Sequence, residues 1–105
     1  MLTSDWSASA AEVFLLAMKE LPYVKVVGNR TEGIFSDMFE FKLPNVWIVS
    51  LSNMQFFSTE MVNYEGKEIE PDFKILNYKK DKSDNLLLKA IELLDKATDE
   101  NVYKK

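Results

Sequence analysis

Residues 7–12 read Ser-Ala-Ser-Ala-Ala-Glu and stand at the start of an apolar run. In this run apolar side chains recur every three or four positions, which predicts an amphipathic helix over residues 9–21. The recurring positions are Ala10, Val13, Phe14, Ala17, Met18 and Leu21. Leu15 and Leu16 widen the apolar face, so we expect the helix to be largely buried. Pro22 marks its end.

The serines at the start of this helix have two interpretations. Ser9 and Glu12 form the S-x-x-E pattern of a capping box, and Ser7 is a second possible N-cap. In a catalytic interpretation, Ser9 lies beside the Ala10 and Ala11 amides, which have no partner inside the helix. Those amides and the helix dipole favour a developing oxyanion. From the six residues alone, the structural interpretation is favoured.

The rest of the chain predicts short strands and a second helix. The predicted strands cover residues 24–28, 38–43, 46–51, 55–58 and 73–76. Pro44 and Asn45 lie between the second and third strands, which should therefore form a hairpin. Residues 29–36 and 60–72 are predicted loops. The aromatic side chains at 56 and 57 are expected in the core.

The C-terminal quarter is predicted to be a capped amphipathic helix. Residues 79–82 form a charged linker, and Ser83 or Asp84 caps the helix. Its predicted buried stripe consists of Leu87, Ala90, Ile91 and Leu94. Residues 98–105 are polar and should fray.

Four segments, in this order, resemble the tail-specific, or C-terminal processing, serine peptidases, which include the tricorn core. In that family an S-A-S-A-[SA]-E segment is followed by a strand with a T-x-G turn, by L-P-N-G-W, and by Y-E-G-x-G-I-x-P-D. The corresponding segments here are residues 7–12, 26–33, 43–47 and 64–72. The resemblance runs from about residue 2 to about residue 75.

The resemblance implies an α/β fold that is part of the ClpP-like or crotonase-like superfamily. It places the nucleophile of a serine endopeptidase at Ser9, with the Ala10 amide in the oxyanion hole. It also places at Glu65 the glutamate that orients or polarises the site in the tricorn-like branch. The alternative for Glu65 is a solvated loop carboxylate. The resemblance implies no metal and no organic cofactor, and the expected partner is a peptide or protein substrate.

A general base for Ser9 is missing from the chain. The sequence contains no histidine. Where the lysine-dependent branch of the family has a lysine after the T-x-G turn, this chain has Ile34. Lys19 is ten residues along the helix from Ser9, a rise of about 15 Å, and Lys25 follows on that far side. The resemblance therefore points to the tricorn-like branch, whose histidine lies upstream of the nucleophile.

Two further positions depart from the family pattern. Val46 replaces the glycine of the N-G turn, and valine disfavours positive φ, so we expect a looser turn. Glu68 replaces another glycine, which is expected to alter the backbone near Glu65. Together with Ile34, these changes would also suit a non-catalytic ligand- or protein-binding module derived from the family. That module is the alternative function.

Composition limits the remaining functions. The chain has 105 residues, with 17 acidic against 13 basic side chains and a net charge of −4, which argues against nucleic-acid binding. No apolar run is long enough to span a membrane, and no signal peptide is visible. The absence of cysteine excludes thiol catalysis. A location outside the bacterial cytoplasm is suggested by the family alone.

The resemblance begins at the nucleophile, and the family's catalytic domain is larger than this chain. We therefore expect residues 1–105 to be a single incomplete catalytic domain, the C-terminal portion of a longer protein, and inactive in isolation. Its uncovered strand edges, expected near Leu2 and residues 24–27, should be covered by the missing N-terminal segments or by homo-oligomerisation.

Overall fold

The computed structural model describes residues 1–102, and side chains as far as residue 98. It is a mixed structure of two helices and five short strands, in agreement with the predicted α/β class. In chain order the elements are β1 (Leu2–Thr3), α1 (Ala10–Lys19), β2 (Val27–Gly28), β3 (Met38–Lys42), β4 (Ile48–Ser52), β5 (Phe73–Lys74) and α2 (Asn85–Val102).

Strands β1, β2 and β5 form a parallel sheet with β2 in the centre. The prediction of an open edge at residues 24–27 is therefore wrong for Val27, which pairs with Leu2 on one side and Phe73 on the other. The open edges of this sheet belong to β1 and β5. Gly28 is required at the centre, because a Cβ there would collide with the carbonyl oxygen of Thr3.

Strand β2 is shorter than the predicted strand over residues 24–28, because the preceding amides bond elsewhere. The Val24 amide closes a turn on the Leu21 carbonyl at 3.0 Å. The Val26 amide donates to the Asp72 carboxylate at 2.7 Å instead of to a neighbouring strand. Strand β5 is likewise limited to Phe73–Lys74, shorter than the predicted 73–76.

A small core joins α1 to the segment before β2 and to the loops before and after the hairpin. It contains the buried side chains Leu15, Val26, Phe35 and Ile69, with Val13, Leu16, Phe56 and Tyr64 packed around them. Only Glu12 and Leu15 of α1 are buried, and Phe14 is 58% exposed. The prediction of a largely buried helix is thus wrong for this chain, since core residues cover only one side of α1.

Strands β3 and β4 form the predicted antiparallel hairpin. The expectation of a loose turn is wrong, because the Val46 amide bonds the Leu43 carbonyl at 3.0 Å and the Leu43 amide bonds Trp47 at 2.8 Å. These bonds close a three-residue loop that needs a left-handed residue at its last position. Val46 adopts that conformation, with φ of 61°.

The predicted strand at residues 55–58 is also wrong. The segment forms a single bridge, between Phe57 and Asn63. The chain reverses directly after it, because the Met61 amide bonds the Ser58 carbonyl at 2.9 Å and Met61 has φ of 59°. Phe56 packs on the core as expected, whereas Phe57 is exposed. The loop over residues 60–72 has no helix or strand, as predicted.

Helix α2 begins after Asp84, whose carboxylate accepts from the Leu87 amide at 3.1 Å. Of the two predicted caps, Asp84 therefore fills the position. The helix continues to Val102, so it includes residues 98–102 of the segment predicted to fray, and the fraying itself stays a prediction. Residues 103–105 of that segment lie outside the described chain.

The predicted buried stripe of α2 is wrong at three of its four positions. Leu87, Ile91 and Leu94 are exposed, the last by 68%. The half-buried side is rotated toward Leu86, Lys89, Ala90 and Leu93. This side faces β1 and β2, the strands that the helix contacts.

The described chain is flat and elongated. Its dimensions are 67 × 38 × 16 Å and its radius of gyration is 18.3 Å, against about 13 Å for a compact domain of about 100 residues. Within residues 1–102 the hairpin contacts no other helix or strand. Neither described helix combines the length and hydropathy that crossing a membrane requires.

Candidate active site

Ser9 occupies a strained backbone position directly before α1. Its φ and ψ are 56° and −126°, and the Ala11 amide bonds the Ala8 carbonyl at 3.2 Å to close a turn around it. Positive φ at this place in a turn is usually a glycine conformation, and another residue there costs about 1–3 kcal/mol. The side chain is exposed, beside the exposed Ala10 and Ala11. Strain of this kind is concentrated at functional sites.

The amide of Ala10 is available to a ligand. It is the first residue of α1, where the backbone N–H groups have no partner within the helix. Among residues 1–102 it donates no hydrogen bond, whereas the amides of Ala11 and Glu12 bond the Ala8 and Ser9 carbonyls. An unpaired donor therefore lies directly next to the Ser9 hydroxyl.

Glu12 is fully buried and binds three backbone amides. Its Oε2 accepts from Ser9 at 3.2 Å and from Ile34 at 2.9 Å, and its Oε1 accepts from Gly33 at 2.8 Å. The bond to the Ser9 amide is the contact that the capping box predicted. The capping box did not predict the bonds to Gly33 and Ile34, which connect the start of α1 to a segment that begins 21 residues after Glu12.

Glu65 binds the next two amides of the same segment. Its Oε2 accepts from Phe35 at 3.0 Å and from Ser36 at 2.7 Å. The residue is exposed and lies in a loop, as the solvated-carboxylate alternative expects, and its carboxylate is also held by these two amides. Its own amide is fixed by the Asn63 side chain at 2.9 Å. Asn63 of the same loop thus holds the backbone of Glu65, and Phe35 and Ser36 hold its carboxylate.

Residues 33–36, which we call the amide segment, therefore donate four successive backbone N–H groups to two carboxylates. The segment also accepts hydrogen bonds, from Ser9 to the Ile34 carbonyl at 2.8 Å and from Gly66 to the Gly33 carbonyl at 2.9 Å. The structure thus brings both predicted site residues, Ser9 and Glu65, to one segment. The predicted loop over residues 29–36 thus contacts Ser9 through its Ile34 carbonyl.

The structure places the candidate lysines as follows. Ile34, at the position of the family's lysine, is 44% exposed. The Lys19 ammonium donates to the Glu70 carbonyl at 3.0 Å, at the end of α1 opposite Ser9. Lys25 lies near the chain start, where its carbonyl accepts from the Met1 amine at 2.7 Å. The Lys67 backbone packs directly against Gly33.

Ser7 and Glu68 have structural roles here. The Ser7 hydroxyl accepts from the Ser4 amide at 3.0 Å, so it stabilises the turn before Ser9. Glu68 pairs with Arg30 at 2.8 Å, and both side chains are partly exposed. Glu65 keeps both of its amide bonds with a glutamate at position 68, so the substitution is accommodated at the surface.

Sequence reasoning assigned Glu12 a capping role only and missed its bonds to the amide segment. A signal was available in the sequence. Glu12 lies on the same helical stripe as Leu15 and Leu16, and a carboxylate on a buried stripe requires hydrogen-bond donors. The identity of those donors cannot be read from the stripe.

Comparison with known proteins shows similarity to peptidases. A family model described as "Peptidase family S41" matches residues 1–75. A "Probable CtpA-like serine protease" of Staphylococcus haemolyticus is 36% identical over 77 residues, which cover 71% of this chain and 15% of that protein. A protein of the same description from Staphylococcus saprophyticus is also 36% identical over 77 residues, with the same coverage.

Among solved structures, a crystal structure of "a putative peptidase" from Parabacteroides merdae is similar with a TM-score of 0.78 and 33% identity. The similarity covers 89% of this chain and 30% of that one. The chain thus spans about 15% of the length of the curated relatives it matches and about 30% of this structure.

Proposed function

The chain belongs to peptidase family S41, and we propose that its full-length parent is a serine-type endopeptidase of the tail-specific kind. In this proposal residues 1–105 are the C-terminal portion of its catalytic domain, with a ClpP-like or crotonase-like fold. The observation that carries the proposal is the strained, exposed Ser9 beside the unpaired Ala10 amide. The parent's substrate is a peptide or protein.

Ser9 Oγ would attack the carbonyl carbon of the scissile peptide, and its proton would pass to a general base. The Ala10 amide would donate to the developing oxyanion, where the N-terminus of α1 adds partial positive charge. The base and a second donor would come from parts of the parent outside this chain. By resemblance to the tricorn-like branch, that base is a histidine.

Glu65 would act as a positioning residue for such a partner. Its Oε2 is occupied by the Phe35 and Ser36 amides, whereas no described residue bonds its Oε1. The carboxylate is therefore fixed and still has one oxygen with which to orient an incoming imidazole or hydroxyl. Glu12 would hold the Ser9 amide and the amide segment in register.

A second candidate function is a non-catalytic peptide- or protein-binding module. The observation in its favour is Ile34, which fills the position of the family's lysine with an apolar, partly exposed side chain. A binding module would keep the unpaired Ala10 amide for a peptide carbonyl and would need no base.

The two candidates are distinguished by a covalent serine probe on the full-length parent. An activated phosphonate should label Ser9, and the label should be located by peptide mass spectrometry. Ser9→Ala should abolish labelling and lower peptide cleavage by several orders of magnitude. Ser7→Ala is the matched control, because its hydroxyl bonds the Ser4 amide, and it should retain both.

Labelling at Ser7, or undiminished cleavage by Ser9→Ala, would contradict the catalytic assignment. A folded parent that binds peptide but is neither labelled nor active would be the binding module. The isolated 105-residue chain should not cleave, because a serine without a base keeps its proton at neutral pH.

A further inference from the structure

The hairpin has one wholly apolar face. The β3–β4 register pairs Phe39 with Leu51 and Phe41 with Val49, and Leu43 bonds Trp47 at the loop. Because directly opposed residues point to the same side of a sheet, one face contains Phe39, Phe41, Leu43, Trp47, Val49 and Leu51. Nothing within residues 1–102 packs on it as a helix or strand. A two-stranded hairpin of this kind is marginally stable in water.

The outer edge of β3 carries unpaired backbone groups. The Leu43 amide bonds Trp47, and the Asn53 amide bonds the Asp37 carbonyl at 3.1 Å, so the odd-numbered residues of β3 bond toward β4. Backbone groups alternate in direction along a strand. Glu40 and Lys42 therefore direct their N–H and C=O groups outward. The Met38 amide is already bonded to the Asp37 carboxylate at 2.8 Å.

We propose that this edge pairs antiparallel with β3 of a second copy of the chain, in the two-fold register centred on Phe41. Glu40 then lies opposite Lys42 of the second copy, and Lys42 lies opposite its Glu40. These two positions make the inter-chain hydrogen bonds with the outward backbone groups. On the apolar face, Phe41 lies opposite Phe41 of the second copy, and Phe39 lies opposite Leu43 of the second copy.

The charges of β3 select this register over its neighbours. Centred on Glu40, the pairing would place two glutamates opposite each other, and like charges there are destabilising. Centred on Lys42, it would oppose two lysines and place Glu40 against Pro44, which has no N–H to donate. Only the register centred on Phe41 joins opposite charges at both outward positions.

The outer edge of β4 offers no comparable pairing. Its outward residues are Ile48, Ser50 and Ser52, which bring no opposite charges together. Pairing through β3 gives a four-stranded sheet in the order β4, β3, β3, β4. A two-fold axis perpendicular to that sheet puts both apolar faces on the same side. The hairpin thereby gains the additional strands that independent stability requires.

The proposal can be tested by disulfide trapping, since the chain has no cysteine of its own. In Phe41→Cys the two cysteines would form a non-hydrogen-bonded pair, with Cα atoms about 4.5 Å apart, within disulfide range. This variant should form a covalent dimer under mild oxidation. Ser50→Cys is the matched control on the same hairpin, because its two copies would be about 16 Å apart, three strand spacings across the sheet and two residues along it. It should remain monomeric on a non-reducing gel.

The register is tested without changing Phe41. A mixture of Glu40→Cys and Lys42→Cys chains should form the mixed disulfide, and neither variant alone should dimerise to a similar yield. Glu40→Lys should raise the dimer dissociation constant about ten-fold by sedimentation equilibrium, and Glu40→Lys with Lys42→Glu should restore it.

Trapping of Ser50→Cys at the yield of Phe41→Cys would place the contact at β4 and overturn the proposal. So would a dissociation constant that Glu40→Lys leaves unchanged, or a wild-type chain that stays monomeric at millimolar concentration.

Discussion

The amide segment and the hairpin that follows it find acceptors for their backbone amides in different ways. Residues 33–36 have no regular structure, and their four amides depend on carboxylates from Glu12 and Glu65. The hairpin pairs the inward backbone groups of its two strands with each other, yet its side chains are almost all exposed. Regular secondary structure and burial therefore do not coincide in these two regions. The irregular segment is part of the folded body, whereas the regular hairpin still lacks a covering surface.

This difference predicts that the two regions respond independently to mutation. The amide segment contains Phe35, a member of the core, and is tied to α1 and to the loop of Glu65. The hairpin contacts no other element within the described residues. Changes at the carboxylates should affect the body, and changes at the hairpin turn should remain local, because distant sites without shared partners act additively.

The largest effect is expected from Glu12→Ala. The substitution leaves the amides of Gly33 and Ile34 without an acceptor, whereas the Ser9 amide keeps its bond to the Ile34 carbonyl. The loss should lower the free energy of unfolding of the body by about 3 kcal/mol. Urea unfolding measures the loss. Hydrogen exchange should accelerate at residues 33–36 and remain unchanged at β3 and β4.

Glu60→Ala is the control for this change. Glu60 is exposed, and its carboxylate forms no hydrogen bond or ion pair within residues 1–98, so its removal should alter stability by less than about 0.5 kcal/mol. If Glu12→Ala accelerated exchange equally in the hairpin, the two regions would be one cooperative unit and the comparison would fail.

A smaller effect of opposite sign is expected from Val46→Gly. Val46 has φ of 61° and is 88% exposed, so glycine relieves strain with little loss of packing. The hairpin should gain about 1 kcal/mol, and the body should be unaffected. Thermal melting followed by Trp47 fluorescence would report this gain.

Ser50→Gly provides the contrast for the turn substitution, because it places glycine inside β4, where it should destabilise the hairpin by about 0.5–1 kcal/mol. A destabilised Val46→Gly would show that the valine side chain contributes packing that its exposure does not reveal.

The smallest effect concerns α2 and pH. Hydrogen bonds from Lys96 at 2.5 Å and Lys89 at 2.9 Å lower the pKa of Glu92 from 4.5 to about 2. Because the folded-state pKa is lowered, the contribution is present above about pH 4.5 and is lost as pH falls through about 2. Helical circular dichroism should decrease slightly over that range, and less so in high salt, because these side chains are exposed.

Glu92→Gln should remove this part of the pH dependence. The part that remains should come from carboxylates such as Asp84, whose pKa is lowered by hydrogen bonds from the Asn77 side chain and the Leu87 amide. An unchanged acid titration in Glu92→Gln would mean that the lysine pairs contribute nothing measurable to α2.

Local sequence patterns predicted the positions of the helices and the hairpin better than they predicted what these elements contact. The helix after Ser9 and the hairpin around Pro44 depend on residues a few positions apart and were predicted, and the cap of α2 was limited to Ser83 or Asp84 for the same reason. The rotation of α2 was not, because Leu87, Ile91 and Leu94 form as regular a stripe as the half-buried positions. Val46 was also misjudged, since the closing bonds of the hairpin override the preference of one residue.

The sequence by itself determined the two helices, the hairpin and the order of the family segments. It also showed that the chain has no histidine and that position 34 is not a lysine. Only the tertiary structure decided that β2 is the central strand and that Glu12 and Glu65 share the amide segment. The physical reason is separation along the chain. The bonds of Glu12 and Glu65 to the amide segment join residues 21 to 30 positions apart. Propensity and periodicity act within a few residues, so they show that a buried carboxylate needs donors without showing which amides supply them.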